Sequence, residues 1–276
     1  MKISFYIPQL SLQPFIINIM IGEFKIPATE APPMAIFPAA PQQCIYFYPR
    51  DPVRTCKHGD NNFKELASSI VVAAQINRIN ISLGNNHLMI CVSFRPGMLN
   101  KLLQTPIVYI KDNSYATEDF LGGEIRLINE QLSATTSHAK MVALIEAFFV
   151  AKFKQQSNQL QPFDYAVAKM LRSDGLISID KAAALSCLSN RQFERHFHER
   201  IGFSPKLFNR IIRFSKAYRL KESNPNFTWT NIAYETGYYD QMHLIKDFKE
   251  FAGVTPTLLS EQLKNTPFKL QKDIQL

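Results

Sequence analysis

Arg191 and Arg195 stand four residues apart in the stretch Asn190-Arg191-Gln192-Phe193-Glu194-Arg195-His196-Phe197, interleaved with two phenylalanines at the same spacing. On a helix this turns Phe193 and Phe197 to one side and leaves Arg191, Glu194, Arg195 and His198 on the outer faces. A pair of arginines so placed does the chemistry of recognition, because a guanidinium fork donates two hydrogen bonds to O6 and N7 of guanine. Glu194 either accepts from cytosine N4 or orients a neighbouring arginine. Further along, Leu244 and Phe248 are the inward pair, and Gln241, Met242, His243, Ile245 and Lys246 lie around the exposed sides. Gln241 can pair with adenine N6 and N7; His243 either packs at the helix start or touches DNA.

Side chains that could break bonds are not arranged to do so. Residues 1 to 163 hold only His58, His87 and His138, in no close-spaced ligand motif, and His196 and His198 are two apart on a helix and diverge. Neither a Ser-His-Asp arrangement nor a phosphate-cradling glycine loop is evident. Cys44, Cys56, Cys91 and Cys187 form no C-x-x-C pair, which predicts reduced thiols, no disulfide and no zinc. The expectation is a protein that is not an enzyme and carries no cofactor or metal.

The elements that must position the recognition residues occur twice. Gly202-Phe203-Ser204-Pro205 returns as Gly253-Val254-Thr255-Pro256, and Phe193 and Phe197 return as Leu244 and Phe248, every position displaced by 51. Two apolar residues four apart, then a glycine five further on, describe a buried helix face ending at a glycine cap. Ala183 and Ala233, on the helix before each, are 50 apart, so the second turn is one residue longer. Ser189 and Asp240 stand at the expected N-caps, and Ser204-Pro205 caps the longest helix. Predicted helices run over 163–172, 180–185, 190–201, 205–222, 229–235, 241–251 and 256–263. A short helix, a tight turn and a capped second helix make a helix-turn-helix, whose second member enters the major groove. The 18-residue connector would be about 27 Å long, against about 34 Å between successive major-groove faces, so one chain can reach two adjacent grooves. Cys187 stands where the second turn has Gly237, predicting a somewhat different first turn.

Charge follows the same segment. The 276-residue chain has a net charge of +8. Nine Arg and Lys against two Glu fall between Arg191 and Lys221, whereas residues 1 to 163 hold only about +3, a distribution suited to a phosphate backbone. Lys206, Arg210, Arg213, Lys216 and Arg219 carry that charge along the connector, with Lys206 and Arg210 as phosphate contacts.

The first half reads as β-rich. Five prolines between Pro27 and Pro41 require extended or looped chain. Ile45 and Phe47 alternate as in a strand; Ile79, Ile81 and Leu83, a turn at Gly84-Asn85-Asn86, then Leu88, Ile90, Val92 and Phe94 predict a hairpin. Helices are expected over 98–103, 120–132 and 138–153. The last has a stripe of Met141, Leu144, Ile145, Phe148, Phe149 and Phe153 wide enough to leave room for a partner subunit. Residues 155–159, Gln-Gln-Ser-Asn-Gln, are the expected linker. No run approaches the roughly 18 apolar residues of a membrane span, and no export signal is visible, so a cytoplasmic protein is expected. The fold class is α+β: a β-rich N-terminal domain with helices, residues 1–155, for sensing or dimerisation, and an all-α domain, residues 164–265, of two helix-turn-helix motifs joined by a long helix.

These residues resemble a known family. Leu188 to Phe197 with Gly202-Phe203-Ser204-Pro205, then Ile232-Ala233, Gly237 to His243, Phe248-Lys249 and Gly253-Val254-Thr255-Pro256, are similar to the DNA-binding domain of AraC/XylS-type transcription regulators over about 164–265. The resemblance implies double-stranded DNA and RNA polymerase as partners, activation of transcription, and a cupin-like N-terminal β core that binds a small-molecule effector or forms a homodimer, an implication that Phe94-Arg95-Pro96-Gly97 supports. It implies base reading by Arg191, Glu194 and Arg195, with Asn190 and His198 beside them. Met242 and Ile245 replace residues that are usually polar there, implying contact with thymine methyl groups or a weaker reader. Lys246 stands where arginine is common, and Arg213 matches a position that ties the two halves together. The alternative, a cupin-like metal-binding or catalytic protein, would need a histidine and carboxylate cluster.

Overall fold

Alternation along three central strands decides what the N-terminal domain encloses. In this computed structural model, which describes residues 2–31, 33–154 and 160–264, the strands are β1 (Lys2–Tyr6), β2 (Ile16–Lys25), β3 (Met34–Phe37), β4 (Gln43–Phe47), β5 (Arg54–Lys57), β6 (Lys64–Glu65), β7 (Ser69–Val72), β8 (Ile79–Ser82), β9 (Asn86–Phe94) and β10 (Ser114–Ala116). They form two antiparallel sheets, in the orders β1-β2-β9-β4-β7-β10 and β3-β8-β5-β6. On β2, β4 and β9 one set of alternate side chains, Ile19, Ile21, Ile45, Phe47, Leu88, Ile90, Val92 and Phe94, faces a helical layer. The other set, including Met20, Cys44, Met89 and Cys91, faces a cavity of about 630 Å³ between the sheets. Both faces are covered, which is why these strands read as long apolar runs.

The residues expected to make a hairpin divide between the sheets: β8 pairs with β3 and β5, whereas β9 pairs with β2 and β4. The chain crosses over at Gly84, where any Cβ would collide with Asp51. Asp51 Oδ2 accepts the Asn86 N–H at 2.8 Å and fixes the start of β9.

The helical layer consists of α1 (Met98–Leu103), α2 (Glu118–Leu121), α3 (Glu124–Ser133) and α4 (His138–Phe153). The single helix expected over 120–132 is broken in two at Gly122, where φ is 73°. Phe149 meets Phe94 edge-on at 5.5 Å, and Phe153 stacks on Phe15 at 4.0 Å. Met141, Ile145, Phe148, Phe149 and Phe153 are buried in this core, with Leu144 partly buried against it. Among the described residues no helix is long and apolar enough to cross a membrane.

A second core is built from α5 (Pro162–Arg172), α6 (Ile179–Leu185), α7 (Asn190–Arg200), α8 (Pro205–Ser223), α9 (Trp229–Glu235), α10 (Gln241–Ala252) and α11 (Pro256–Lys264). The expected linker, residues 155–159, lies outside the described residues. The two cores touch where Ala39 and Ala74 pack into the helical one.

Candidate DNA interface

Each reading helix is fixed at its start by the side chains at its N-cap. Ser189 and Gln192 form a reciprocal box at the head of α7, with the Gln192 N–H donated to Ser189 Oγ at 3.3 Å and the Ser189 N–H to Gln192 Oε1 at 3.1 Å. Asp240 accepts the His243 N–H at 2.8 Å at the head of α10, and Ser204 accepts the Leu207 N–H at 3.3 Å ahead of Pro205 on α8. Inside, Phe193, Phe197, Leu244 and Phe248 are fully buried, each contributing about 1.5–3 kcal/mol of hydrophobic stabilisation. Phe214 of α8 meets Phe248 edge-on at 4.8 Å.

The two turns superpose in kind. Cys187 takes φ 56° and Gly237 φ 72°, so the cysteine adopts the same left-handed conformation and the expected difference in turn shape is absent. Cys187 is exposed, leaving room for its side chain. The additional residue of the second turn is Tyr239, which is 93% exposed.

Arg191, Glu194 and Arg195 are exposed on α7. Among the described residues none of them makes an ion pair or a side-chain hydrogen bond, so Glu194 does not orient a neighbouring arginine in the protein alone. His198 is half-buried. Asn190 donates its amide to Asp180 Oδ1 at 2.5 Å, and Thr230 donates to Gln241 Oε1 at 3.0 Å at the matching place in the second motif. The first residue of each reading helix is thus pinned to the helix before it, and Gln241 keeps only its amide N–H groups wholly free. Met242 is 70% exposed and Lys246 is exposed, while Ile245 is half-buried. His243 Nδ1 lies 2.9 Å from Asp240 Oδ1, so its ring is held against the cap although it stays exposed. Tyr239, Tyr234 and Met242 together give the second motif an exposed aromatic and apolar face. The offset of one residue between the repeats was the only sign of Tyr239 in the sequence.

The connector differs from expectation. Arg210, expected at phosphate, is instead bound at 2.6 Å to Asp247 and 2.5 Å to Glu250, both on α10, and lies over the Phe251 ring. Burial lowers its pKa, but the hydrogen bonds from the guanidinium to Glu250 and Asp247 outweigh that and hold it above the usual arginine value. Lys216 pairs with Asp174 at 2.8 Å, Arg213 lies over the Tyr238 ring, and burial lowers the Arg219 pKa. Three of the five connector cations, Arg210, Arg213 and Lys216, therefore serve the junctions between α8 and the two small bundles, because those bundles present Asp174, Asp247, Glu250 and Tyr238 to it, and Arg219 is half-buried. Lys206 alone of the five is exposed.

The opposite ends of the reading helices are held by the N-terminal domain, through residues the sequence did not single out. Gln43 donates to the Arg200 carbonyl at the end of α7, at 3.1 Å, and accepts the Gly97 N–H, at 3.1 Å. Arg200 pairs with the buried Asp164, which Lys101 also approaches at 3.8 Å. Arg78 donates to the Ala252 carbonyl at the end of α10, at 3.3 Å, and the Ala39 N–H bonds the Phe251 carbonyl, at 3.0 Å. Both repeat glycines lie at this junction. A Cβ on Gly202 would come within 3.0 Å of Ile107, and one on Gly253 would strike the His58 ring.

The histidines of the N-terminal domain stay apart. His87 is buried at the cavity and desolvation lowers its pKa to about 4, His138 sits 3.2 Å from Glu23, and His58 is at Gly253. Among the described residues no three His, Cys, Asp or Glu side chains come together.

Residues 182–262 match the family model described as a helix-turn-helix domain. The chain is 31% identical over 132 residues to a helix-turn-helix-type transcriptional regulator of Haemophilus influenzae, covering 48% of this chain and 42% of that protein. It is 22% identical over 148 residues to the Msm operon regulatory protein of Streptococcus mutans, covering 53% of each. The chain thus spans about half the length of these relatives. The solved structure of ToxT from Vibrio cholerae shares its fold, with a TM-score of 0.50 at 13% identity over 91% of this chain and 99% of that one. With two capped helix-turn-helix units, a shared connector and the matched residues in place, this chain carries a helix-turn-helix domain over residues 182–262.

Proposed function

We propose that the protein is a sequence-specific DNA-binding regulator of transcription, acting as an activator, in which residues 164–265 read two successive major grooves and residues 1–155 sense an effector. The observation that carries this reading is a pair of side chains: Arg191 and Arg195 are exposed on a capped helix whose other face is fully buried, and no protein partner satisfies them among the described residues. A guanidinium held by its helix, with its donors unused, is ready for a base edge or a phosphate. Asn190, Glu194 and His198 border it. Gln241, Met242, His243 and Lys246 form the second reader, the more apolar of the two, and Lys206 is the connector's phosphate contact. RNA polymerase is the partner of the complex on DNA.

A cavity between the sheets supports the sensing role. Its wall is largely apolar, and it also contains Asn18, Gln42 and His87, whose Nδ2, Oε1 and Nδ1 atoms are buried without hydrogen-bond partners among the described residues. A small molecule would satisfy them. Strand β4 joins that cavity to DNA, since Cys44 faces inward and its neighbour Gln43 holds the end of α7.

Selection of binding sites from random duplex DNA by the full chain tests the reading. One enriched sequence with two elements about one helical turn apart is expected; recovery of unenriched DNA would refute it.

A further inference from the structure

Three neighbouring strands bring four sulfur-bearing side chains to one patch of the cavity wall. Met20 on β2 lies directly across from Cys91 on β9, and Met89 is two residues before Cys91 on the same face. Cys44 on β4 is opposite Ser93 and therefore diagonal to Cys91. All four are buried, pack as one cluster and line the cavity. The Cys44 thiol reaches Ser93 Oγ at 3.8 Å, and Ser93 Oγ and Cys91 Sγ are 3.7 Å apart, so both sulfurs converge on one hydroxyl.

We infer that this patch is a binding site for one soft monovalent cation, copper(I), held by the sulfurs of Cys44 and Cys91 with the thioethers of Met20 and Met89 beside them. Thiolate and thioether donors select soft cations. Zinc takes three or four His, Cys, Asp or Glu donors, and among the described residues no three such side chains are placed to hold a metal. A filled-shell monovalent cation is satisfied by two thiolates, and the patch offers two thiols on neighbouring strands that converge on the Ser93 hydroxyl.

The balance is simple. Each cysteine that binds gives up its S–H proton to solvent, so one cation replaces two protons. Copper stays in its +1 state throughout. The resulting bis-thiolate has a net charge of −1, and the hydroxyls of Ser93 and Tyr46 are placed to donate to it. Cys56 lines the cavity from the other sheet but already accepts from Asn80 Nδ2 at 3.8 Å, and Cys187 is exposed on the first turn.

Only the consequence for transcription rests on the regulator reading; the site is tested directly. The reduced full chain is titrated anaerobically with copper(I) as its acetonitrile complex, in competition with bicinchoninate. One equivalent should bind, with the release of up to two protons and an all-sulfur shell in X-ray absorption. Cys44→Ser and Cys91→Ser should each weaken binding by roughly 100-fold or more, and Cys56→Ser and Cys187→Ser should leave it unchanged. Met20→Leu with Met89→Leu, which keeps the packing volume, should weaken it by about tenfold while the near-ultraviolet circular dichroism is retained. The proposal is overturned if the wild type fails to compete with bicinchoninate, if the double cysteine variant binds as well as wild type, or if nitrogen or oxygen ligands dominate the shell. A chain that binds copper as described but selects no DNA sequence would refute the regulator reading and leave this site standing.

Discussion

A charged side chain in the DNA-binding half either faces outward unpaired or is consumed by a junction, and substitution distinguishes the two. Arg195→Ala removes an exposed fork and should relax preference at one base pair by about 1–3 kcal/mol, measured by binding to single-base variants of the selected site. Lys206→Ala should instead weaken binding evenly across sequences and flatten the salt dependence by about one unit. Arg210→Ala should do neither. It leaves Asp247, whose side chain is 7% exposed, without its cation, so thermal or urea unfolding should show a loss on the order of 2–3 kcal/mol, with the salt slope of DNA binding unchanged. An Arg210 variant with a reduced slope and full stability would return that residue to the DNA. The sequence made Arg191 and Arg195 legible because the interleaved Phe193 and Phe197 fix which way they face. It could not separate Arg210 from Lys206, since both lie on outer faces of α8 by periodicity and the distinguishing carboxylates, Asp247 and Glu250, arrive from another helix. The Cys44 and Cys91 pair was hidden for the same reason. They are 47 positions apart in sequence and become neighbours through a strand register that no local pattern specifies.

At the scale of elements, legibility followed the strength of local signals. Helices with caps and a sustained apolar stripe, such as α4, α7 and α10, lie where their sequences put them. The hairpin over 79–94 failed because alternation and a turn say that two strands exist, but not that they pair; the contact between Gly84 and Asp51 sends β9 into the other sheet. The expected long helix over 120–132 failed at Gly122, whose positive φ ends α2. The first helix-turn-helix carries a local strain that can be relieved. Cys187 has φ 56° on an exposed turn, a conformation that costs an L-residue about 1–2 kcal/mol, partly offset by the greater chain entropy of glycine. Cys187→Gly should therefore raise stability by about 0.5–1 kcal/mol without affecting DNA affinity, read as a higher Tm. A lower Tm would mean that the side chain contributes contacts outweighing its backbone strain.

For the whole molecule, the N-terminal domain is a brace as well as a candidate sensor. It holds α7 through Gln43 and α10 through Arg78 and Ala39, so the separation of the two readers depends on it as well as on α8. Removing one hold should loosen that separation. Arg78→Ala should tolerate a selected site whose two elements are moved by one base pair, losing only a few-fold in affinity where the wild type loses about tenfold or more, a difference of about 1 kcal/mol or greater. Equal losses would show that the spacing is set by the connector alone.

The two glycines that close the reading helices also carry the contacts with Ile107 and His58. In mechanical terms the chain is a closed four-bar linkage: the N-terminal domain is the fixed frame, α7 and α10 are the cranks pivoting at Gly202 and Gly253, and α8 is the coupler between them. In such a linkage a displacement of one crank would be passed through the coupler to the other. The bare pivots matter because any larger side chain there would jam the gear.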